Sequence, residues 1–437
     1  MRAAHPHFDR AILALIACGL LLRLLWLTIV HGAPFVALSA AEACDVAIAF
    51  AQTGTLADAY FPGQGPTAHL MPLNPAIAGW VMGWLGTATL ASATVLTLWS
   101  VGQVFLAYLV LLSAFAHAGL ERIALRGGAA ILFLLPVFVP QEVIDFRYWE
   151  GGMALLLAAC HLRWMMIAQR GAPPAMVRLL AVAFTGALLT FVAPPVGIAV
   201  AVAWGWTAWR HLAIRSTMIV LAIGLAAFSA MSLAWAVRNE AAIGVPLPSR
   251  SNLGVELAMA NYPQALDATA PEDRFNARLF AVHPAASRRA QAAVRSYGER
   301  AYALALQRVT LTWMVRHPWA MTRLYVRHLV EFLAPQPWQF YFTGWQGMRA
   351  ARSLIACTVS MLGLAGLIVG LWRGQRAFAP VALYVAALAL QFAMFQPMPR
   401  YSFLIYPVLA WPAAWLVAQW RAGTIRHPRL PRTTVRP

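Results

Sequence analysis

Two carboxylates stand three residues apart in the stretch Ala41-Glu42-Ala43-Cys44-Asp45-Val46. On a helix that spacing puts Glu42 and Asp45 on one face. Val46 and Phe50 can then turn toward lipid, so the segment reads as a short interfacial helix holding its acids just outside a membrane. A carboxylate so placed suits a general base, which takes the proton of a hydroxyl or amine as that group attacks. Partial burial beside lipid is expected to raise its pKa toward neutrality. The same spacing also describes an ordinary solvated loop helix. Downstream, Gly65-Pro66-Thr67-Ala68-His69-Leu70-Met71-Pro72-Leu73-Asn74-Pro75 adds His69. This imidazole is a candidate for bonding a phosphate, and a lone His does not specify a metal site.

A second group of polar residues follows the seventh apolar segment: Arg238-Asn239, Gly244, Pro246, Arg250-Ser251-Asn252, Gly254, Glu256 and Asn261. A guanidinium fork matches phosphate oxygens, which makes Arg238 and Arg250 candidate phosphate ligands. Asn239, Asn252 and Asn261 can bond sugar hydroxyls. Against this, Arg238 can simply anchor a helix end at headgroups, and asparagines shape turns. Arg400-Tyr401 opens the last apolar segment, where Arg400 can pair with a phosphate or a carboxylate, or snorkel. Asp145 is a secondary acidic candidate, flanked by Arg147 and Glu150, with a local salt bridge to Arg147 as the plainer reading. Arg23 lies inside the first apolar segment and is costly if it faces lipid. It faces a bundle interior or reaches the outer headgroups.

The elements that must position these residues are read from composition. The 437-residue chain is 61% hydrophobic and 11% charged, against about 25% charged in soluble domains. Lipid must therefore take much of its surface. The net charge of +18 comes wholly from arginine, with no lysine. These arginines are scattered between apolar segments as topology signals, so no nucleic-acid partner is expected. The cysteines Cys18, Cys44, Cys160 and Cys357 have no disulfide or zinc spacing.

Apolar spans are expected near 11–31, 92–117, 127–141, 150–168, 177–193, 196–211, 217–236, 351–372, 378–396 and 402–420, about ten in all. The first is read as an uncleaved helix, although Leu38-Ser39-Ala40 resembles a cleavage site. With both termini cytoplasmic, the short arginine-bearing loops fall inside, while Glu142, Asp145 and Glu150 fall in a short outer loop. The apolar run 74–90 would invert that pattern if it crossed, so it reads as a helix lying at or dipping into the outer leaflet. Residues 32–91 and 237–350 are long outer segments. Within the second, 297–334 reads as two amphipathic helices, with Pro318 opening the latter. Trp313 and Trp319 beside Arg316, Arg323 and Arg327 suit helices lying flat on anionic lipid. The chain divides into an N-terminal membrane module at 1–236, an outer segment at 237–350, and C-terminal membrane helices with a basic tail at 351–437.

The run Glu42-x-x-x-Val46-Ala47-x-x-Phe50-Ala51, with Gly65-Pro66-Thr67-Ala68-His69-x-x-Pro72-Leu73-x-Pro75 after it, resembles the first periplasmic loop of bacterial GT-C glycosyltransferases. The similar groups are the family 39-like and aminoarabinose-transferase-like enzymes. The Arg238-Asn239 … Arg250-Ser251-Asn252-x-Gly254-x-Glu256 pattern and Arg400-Tyr401 before Pro407 are similar to the same group. Two departures stand out: Asn74 replaces the usual aromatic after Pro-Leu, and the acidic motif lacks its frequent Asp-Glu or Asp-Asp form.

The resemblance implies an all-α polytopic bundle of GT-C type with two long periplasmic loops carrying juxtamembrane helices. It also implies a polyprenyl-phosphate-linked sugar donor and a lipid, glycan or protein acceptor. Glu42 would be the base, with Asp45 second. His69, Arg238, Asn239, Arg250, Asn252 and Arg400 would bind donor phosphate or sugar. No cofactor is expected, and a weakly bound divalent metal is left open. The expected location is the bacterial inner membrane with a periplasmic active site. A transporter or flippase of lipid-linked sugars would use the same arginines without a catalytic carboxylate. Such a protein should carry broken spans or midplane polar groups, and few are visible. A non-catalytic membrane scaffold is the remaining alternative.

Overall fold

A computed structural model describes residues 9–31, 41–171, 175–267, 269–342 and 347–423, which are almost entirely helical. The Leu38-Ser39-Ala40 stretch and the tail arginines Arg426, Arg429, Arg432 and Arg436 lie outside the described residues. The first membrane helix, α1 (Arg10–Trp26), starts at Asp9, whose carboxylate accepts from the Ile12 N–H at 3.0 Å and pairs with Arg126. Two short helices follow, α2 (Ala41–Thr53) and α3 (Leu73–Leu85). The bundle continues with α4 (Leu90–His117), α5 (Arg122–Leu134), α6 (Val139–Val143), α7 (Gly151–Ala168), α8 (Met176–Val192), α9 (Pro194–His211) and α10 (Ile214–Ile243). A run of non-spanning helices comes next: α11 (Leu253–Ala260), α12 (Pro271–Val282), α13 (Arg288–Tyr297), α14 (Glu299–Arg316) and α15 (Pro318–Leu333). The chain closes with α16 (Arg349–Trp372), α17 (Ala379–Phe392), α18 (Pro399–Ser402) and α19 (Tyr406–Arg421).

Each predicted apolar interval contains a helix, but length separates them. Among the described residues, five helices are long and apolar enough to cross a membrane: α1 with the turn after it, α4, α7, α10 and α16. A sixth crossing results if α5 and the segment Val139–Arg147 form one span, bent by 72° at the break between them. The sequence reading has about ten. The four others, α8, α9, α17 and α19, have 17, 18, 14 and 16 residues and reach only about 21–27 Å against a hydrocarbon core of roughly 30 Å.

The stretch read as a helix at the membrane surface is α3, which packs on α2. Gly79 permits that contact, since a Cβ there would sit 2.6 Å from the Ala47 carbonyl oxygen. The α16–α19 crossing uses the same device: Cβ atoms at Gly363 and Gly366 would meet the carbonyl oxygens of Leu409 and Pro412 at 2.6 and 2.2 Å. Small residues let membrane helices approach closely where hydrocarbon supplies no hydrophobic drive between them.

Arg23 faces the bundle. Its Nη2 lies 2.7 Å from Glu142 Oε2, and its other N–H groups reach the carbonyl oxygens of Leu132 and Phe133. Glu142, read from sequence as an outer-loop acid, is thus buried. Of the two settings expected for Arg23, the bundle interior is the one found.

Candidate active site

The first turn of α2 carries Glu42, where the helix dipole favours a negative charge. Its side chain is 13% exposed and sits between two imidazoles. Oε2 lies 3.2 Å from Nε2 of His69, and Oε1 lies 3.1 Å from Nε2 of His283 at the end of α12. The Ala285 N–H lies 3.3 Å from Nδ1 of His283, which leaves Nε2 as the donor toward Glu42 in the neutral ring. The Tyr60 ring covers both, with centroids 4.6 Å from His69 and 5.7 Å from His283.

Burial pushes the Glu42 carboxyl up, but the charges and N–H groups of His69 and His283 outweigh it and hold the group well below the usual carboxylate range. The expectation of a carboxyl raised toward neutrality is therefore overturned, because two imidazoles from distant segments converge on it. Burial likewise pulls His283 down, yet the Glu42 carboxylate, with help from Glu256, raises it above the ordinary imidazole value. Asp45 is the acid that is raised, by burial and then by the charges of Glu42 and Asp58. It is exposed on α2 while Glu42 turns inward.

Arg400 lies in the field of Glu42. Arg400 on α18 stacks on Trp149, its Cζ 4.0 Å from the ring centroid, and its Nη2 lies 3.2 Å from the Tyr401 hydroxyl. Burial opposes its charge, but Tyr401, Glu256 and Glu42 raise its pKa above the ordinary guanidinium value. Arg250 pairs with Glu150 and reaches the Val192 carbonyl oxygen at 3.3 Å. Tyr401 senses the charges of both Arg250 and Glu256. The buried Nε–H groups of Arg250 and Arg400 have no hydrogen-bond partner among the described residues, so each keeps a donor for an incoming anion. Asp145 bonds Gln141 and lies within the fields of Arg400 and Arg352. Arg147 turns its Nε to the Val143 carbonyl oxygen, 2.9 Å away.

Other residues singled out from sequence hold the framework. Arg238 donates to the carbonyl oxygens of Thr67 and Leu56 at 2.7 and 2.9 Å and to Asn239 Oδ1 at 2.9 Å. Asn239 in turn donates to the Leu247 carbonyl oxygen at 2.7 Å. Asn252 bonds Glu256 at 3.2 Å, and Asn261 reaches the Met394 carbonyl oxygen at 2.9 Å. Asn74 donates to the Trp149 carbonyl oxygen at 2.7 Å, so the residue replacing an aromatic steadies the ring beneath Arg400.

Glu299 accounts for the position of His69. It accepts from Gln64 Nε2 at 2.9 Å, the Thr67 hydroxyl at 2.6 Å and the Ala68 N–H at 2.7 Å. Sequence reading missed His283, Tyr60 and Glu299, whose surroundings carry no motif. Glu256 was visible inside the Arg250 pattern but had no assigned role. Among the described residues no group of three or more His, Cys, Asp and Glu side chains is placed to hold a metal ion. Glu42 lies at ion-pair distance from both His69 and His283.

No protein-family model matches the chain, and no curated protein sequence matches it. Solved structures do. The oligosaccharyltransferase AglB from Archaeoglobus fulgidus, in complex with an inhibitory peptide and a dolichol-phosphate, aligns over 97% of this chain and 53% of its own at 12% identity and a TM-score of 0.50. The apo form of the Archaeoglobus fulgidus oligosaccharyltransferase aligns over 96% of this chain and 52% of its own, with 12% identity and a TM-score of 0.51. ArnT from Cupriavidus metallidurans bound to undecaprenyl phosphate aligns over 96% and 81% at 13% identity, with a TM-score of 0.32. The chain is thus an all-helical membrane protein with a GT-C-like fold, and it spans about half the length of the oligosaccharyltransferase it matches.

Proposed function

We propose that this chain is a glycosyltransferase that moves a sugar from a polyprenyl-phosphate-linked donor to an acceptor at the outer face of the inner membrane. What supports the reading is a Glu42 carboxyl held low in the field of Arg400, whose buried Nε–H, like that of Arg250, has no hydrogen-bond partner among the described residues. The acceptor oxygen or nitrogen forms a bond to the anomeric carbon. The bond from that carbon to the donor phosphate breaks, its electron pair leaves on the phosphate oxygen, and the acceptor proton passes to Glu42. A carboxylate held low is a weak base, but an attacking hydroxyl becomes strongly acidic as its new bond forms. An acid that stays ionised at neutral pH therefore meets the need. Arg250 and Arg400 stabilise the charge that develops on the leaving phosphate, from a buried setting where such bonds are strengthened. His69 and His283 keep Glu42 ionised and oriented. Arg238 and Asn239 position the loop that carries His69, and Asp145 steadies Arg400.

The test gives purified protein a radiolabelled polyprenyl-phosphate sugar and compares wild type with Glu42→Gln. Turnover is expected to fall by about 10²–10⁴ while donor binding is retained. Equal turnover removes Glu42 from the base role. Movement of intact donor across a bilayer, without bond cleavage, supports a transporter instead.

A further inference from the structure

Helices α7, α8, α9 and α10 line an open-sided apolar cavity of about 760 Å³. It exists because α10 leans on α8 and leaves its other flank uncovered: only 6% of its apolar stretch is buried. Gly205 on α9 and Gly224 on α10 line the space, and a Cβ at Gly205 would find no atom within 4 Å. The wall offers little to a polar ligand. Its one imidazole, His161, is occupied at both nitrogens, by Trp204 Nε1 at 2.9 Å and by the Thr185 hydroxyl at 3.2 Å. Hydrocarbon is what such a wall accepts.

The cavity has a charged end. Arg178 lines it, half-buried, and has no ion pair or side-chain hydrogen bond among the described residues. Trp209 lines the same end, with the Arg210 guanidinium 4.7 Å from its ring. Arginine beside tryptophan marks headgroup depth. This end is remote from the candidate active site. Helix α8 runs from Met176 to Val192, and it is the Val192 carbonyl that meets Arg250. Arg178 is therefore about 20 Å farther along the helix.

We propose that this cavity is a lipid site. It takes one hydrocarbon chain of an anionic glycerophospholipid from the leaflet on the Arg178 side, with the phosphate on Arg178. From Arg178 to Thr190 the lined length is about 18 Å, and one leaflet supplies a chain spanning roughly 15 Å of the core. A polyprenyl phosphate whose phosphate meets Arg250 and Arg400 would enter from the opposite leaflet and could not reach Arg178 with its headgroup.

The full chain is reconstituted in mixed phosphatidylglycerol and phosphatidylethanolamine, then extracted in mild detergent, and retained lipid is counted by native mass spectrometry. Wild type is expected to keep one phosphatidylglycerol. Gly205→Phe puts a ring into the space from a position whose Cβ meets no atom within 4 Å, and it should lower retention about tenfold, a loss of ~1.4 kcal/mol. Arg178→Gln should reduce the preference for phosphatidylglycerol about fivefold, as removal of one cation near an anionic headgroup does. Retention in monodisperse Gly205→Phe equal to wild type overturns the site. Unchanged headgroup preference in Arg178→Gln overturns the anchor, and this variant alters only a half-buried side chain. Recovery of polyprenyl phosphate in place of phospholipid overturns the assigned occupant.

Discussion

A carboxylate between two imidazoles makes stability and activity depend on pH in opposite senses at its two ends. The Glu42 carboxyl is lowered, so its contribution is present above the unfolded carboxyl value of about 4.3 and is lost as pH falls through the folded value. The His283 imidazole is raised, so its contribution is full below about 6.5 and disappears as pH rises through the folded value. The cluster should stabilise most between those limits. Thermal midpoints in detergent, measured from mildly acidic to alkaline pH, should fall on the alkaline side for wild type and less for His283→Gln. Parallel curves would show that the raised imidazole contributes nothing. Arg400 makes a separate prediction. Lysine keeps the charge but loses the planar stack on Trp149 and the fork. Loss of one charge-assisted bond of about 1.5–3 kcal/mol lowers kcat/KM roughly ten- to hundredfold. Arg400→Lys with wild-type kinetics would mean that only the charge matters, and Arg400→Gln with wild-type kinetics would take the residue out of the donor site.

At the level of elements, the site depends on close helix crossings. Gly254 lets α11 lie against α14, since a Cβ there would come within 1.8 Å of the Ala303 carbonyl oxygen. Backbone cannot yield as a flexible side chain does, so Gly254→Ala should cost at least about 1–3 kcal/mol. Because α11 carries Glu256, beside Arg400 and His283, turnover should drop with the thermal midpoint. A variant with lowered midpoint but full turnover would separate α11 from the chemistry. These elements also show what sequence conveys. Pro318 opening α15 and the short α3 after Pro72 were legible, because capping and breaking signals act locally. The pairing of Glu42 with His283 and of Arg250 with Glu150 was not, since the partners lie on segments brought together only by tertiary packing. For the same reason the direction of the Glu42 shift could not be read. Burial alone predicts a rise, and the opposing imidazoles are invisible in its own segment. Arg238 was legible as important, but its carbonyl partners make it a strut for the His69 loop.

On the scale of the whole molecule, one buried ion pair ties the N-terminal helix to the helix that follows the α5 bend. Arg23 on α1 meets Glu142 on α6, and Glu142 also accepts from the Tyr108 hydroxyl of α4 at 2.5 Å. The Ser100 hydroxyl reaches the Glu142 carbonyl oxygen at 2.5 Å, so α1, α4 and α6 share one polar knot. The arm that carries Glu142 follows a 72° bend and runs on to Asp145, which lies in the field of Arg400. The knot therefore has a route to the site through the backbone between residues 142 and 145. Removing one partner strands the other charge in a low-dielectric interior, at a cost of about 3–5 kcal/mol, whereas replacing both by apolar groups is often close to neutral. Arg23→Leu should lower the thermal midpoint sharply and reduce turnover, and Arg23→Leu combined with Glu142→Leu should recover most of the midpoint. Turnover is the more telling readout. If the pair fixes the bend, the double variant stays slow although it is stable, because Asp145 is no longer held toward Arg400. If the double variant recovers both stability and turnover, the pair only fills the interior and the bend is set by the packing of α5 against its neighbours.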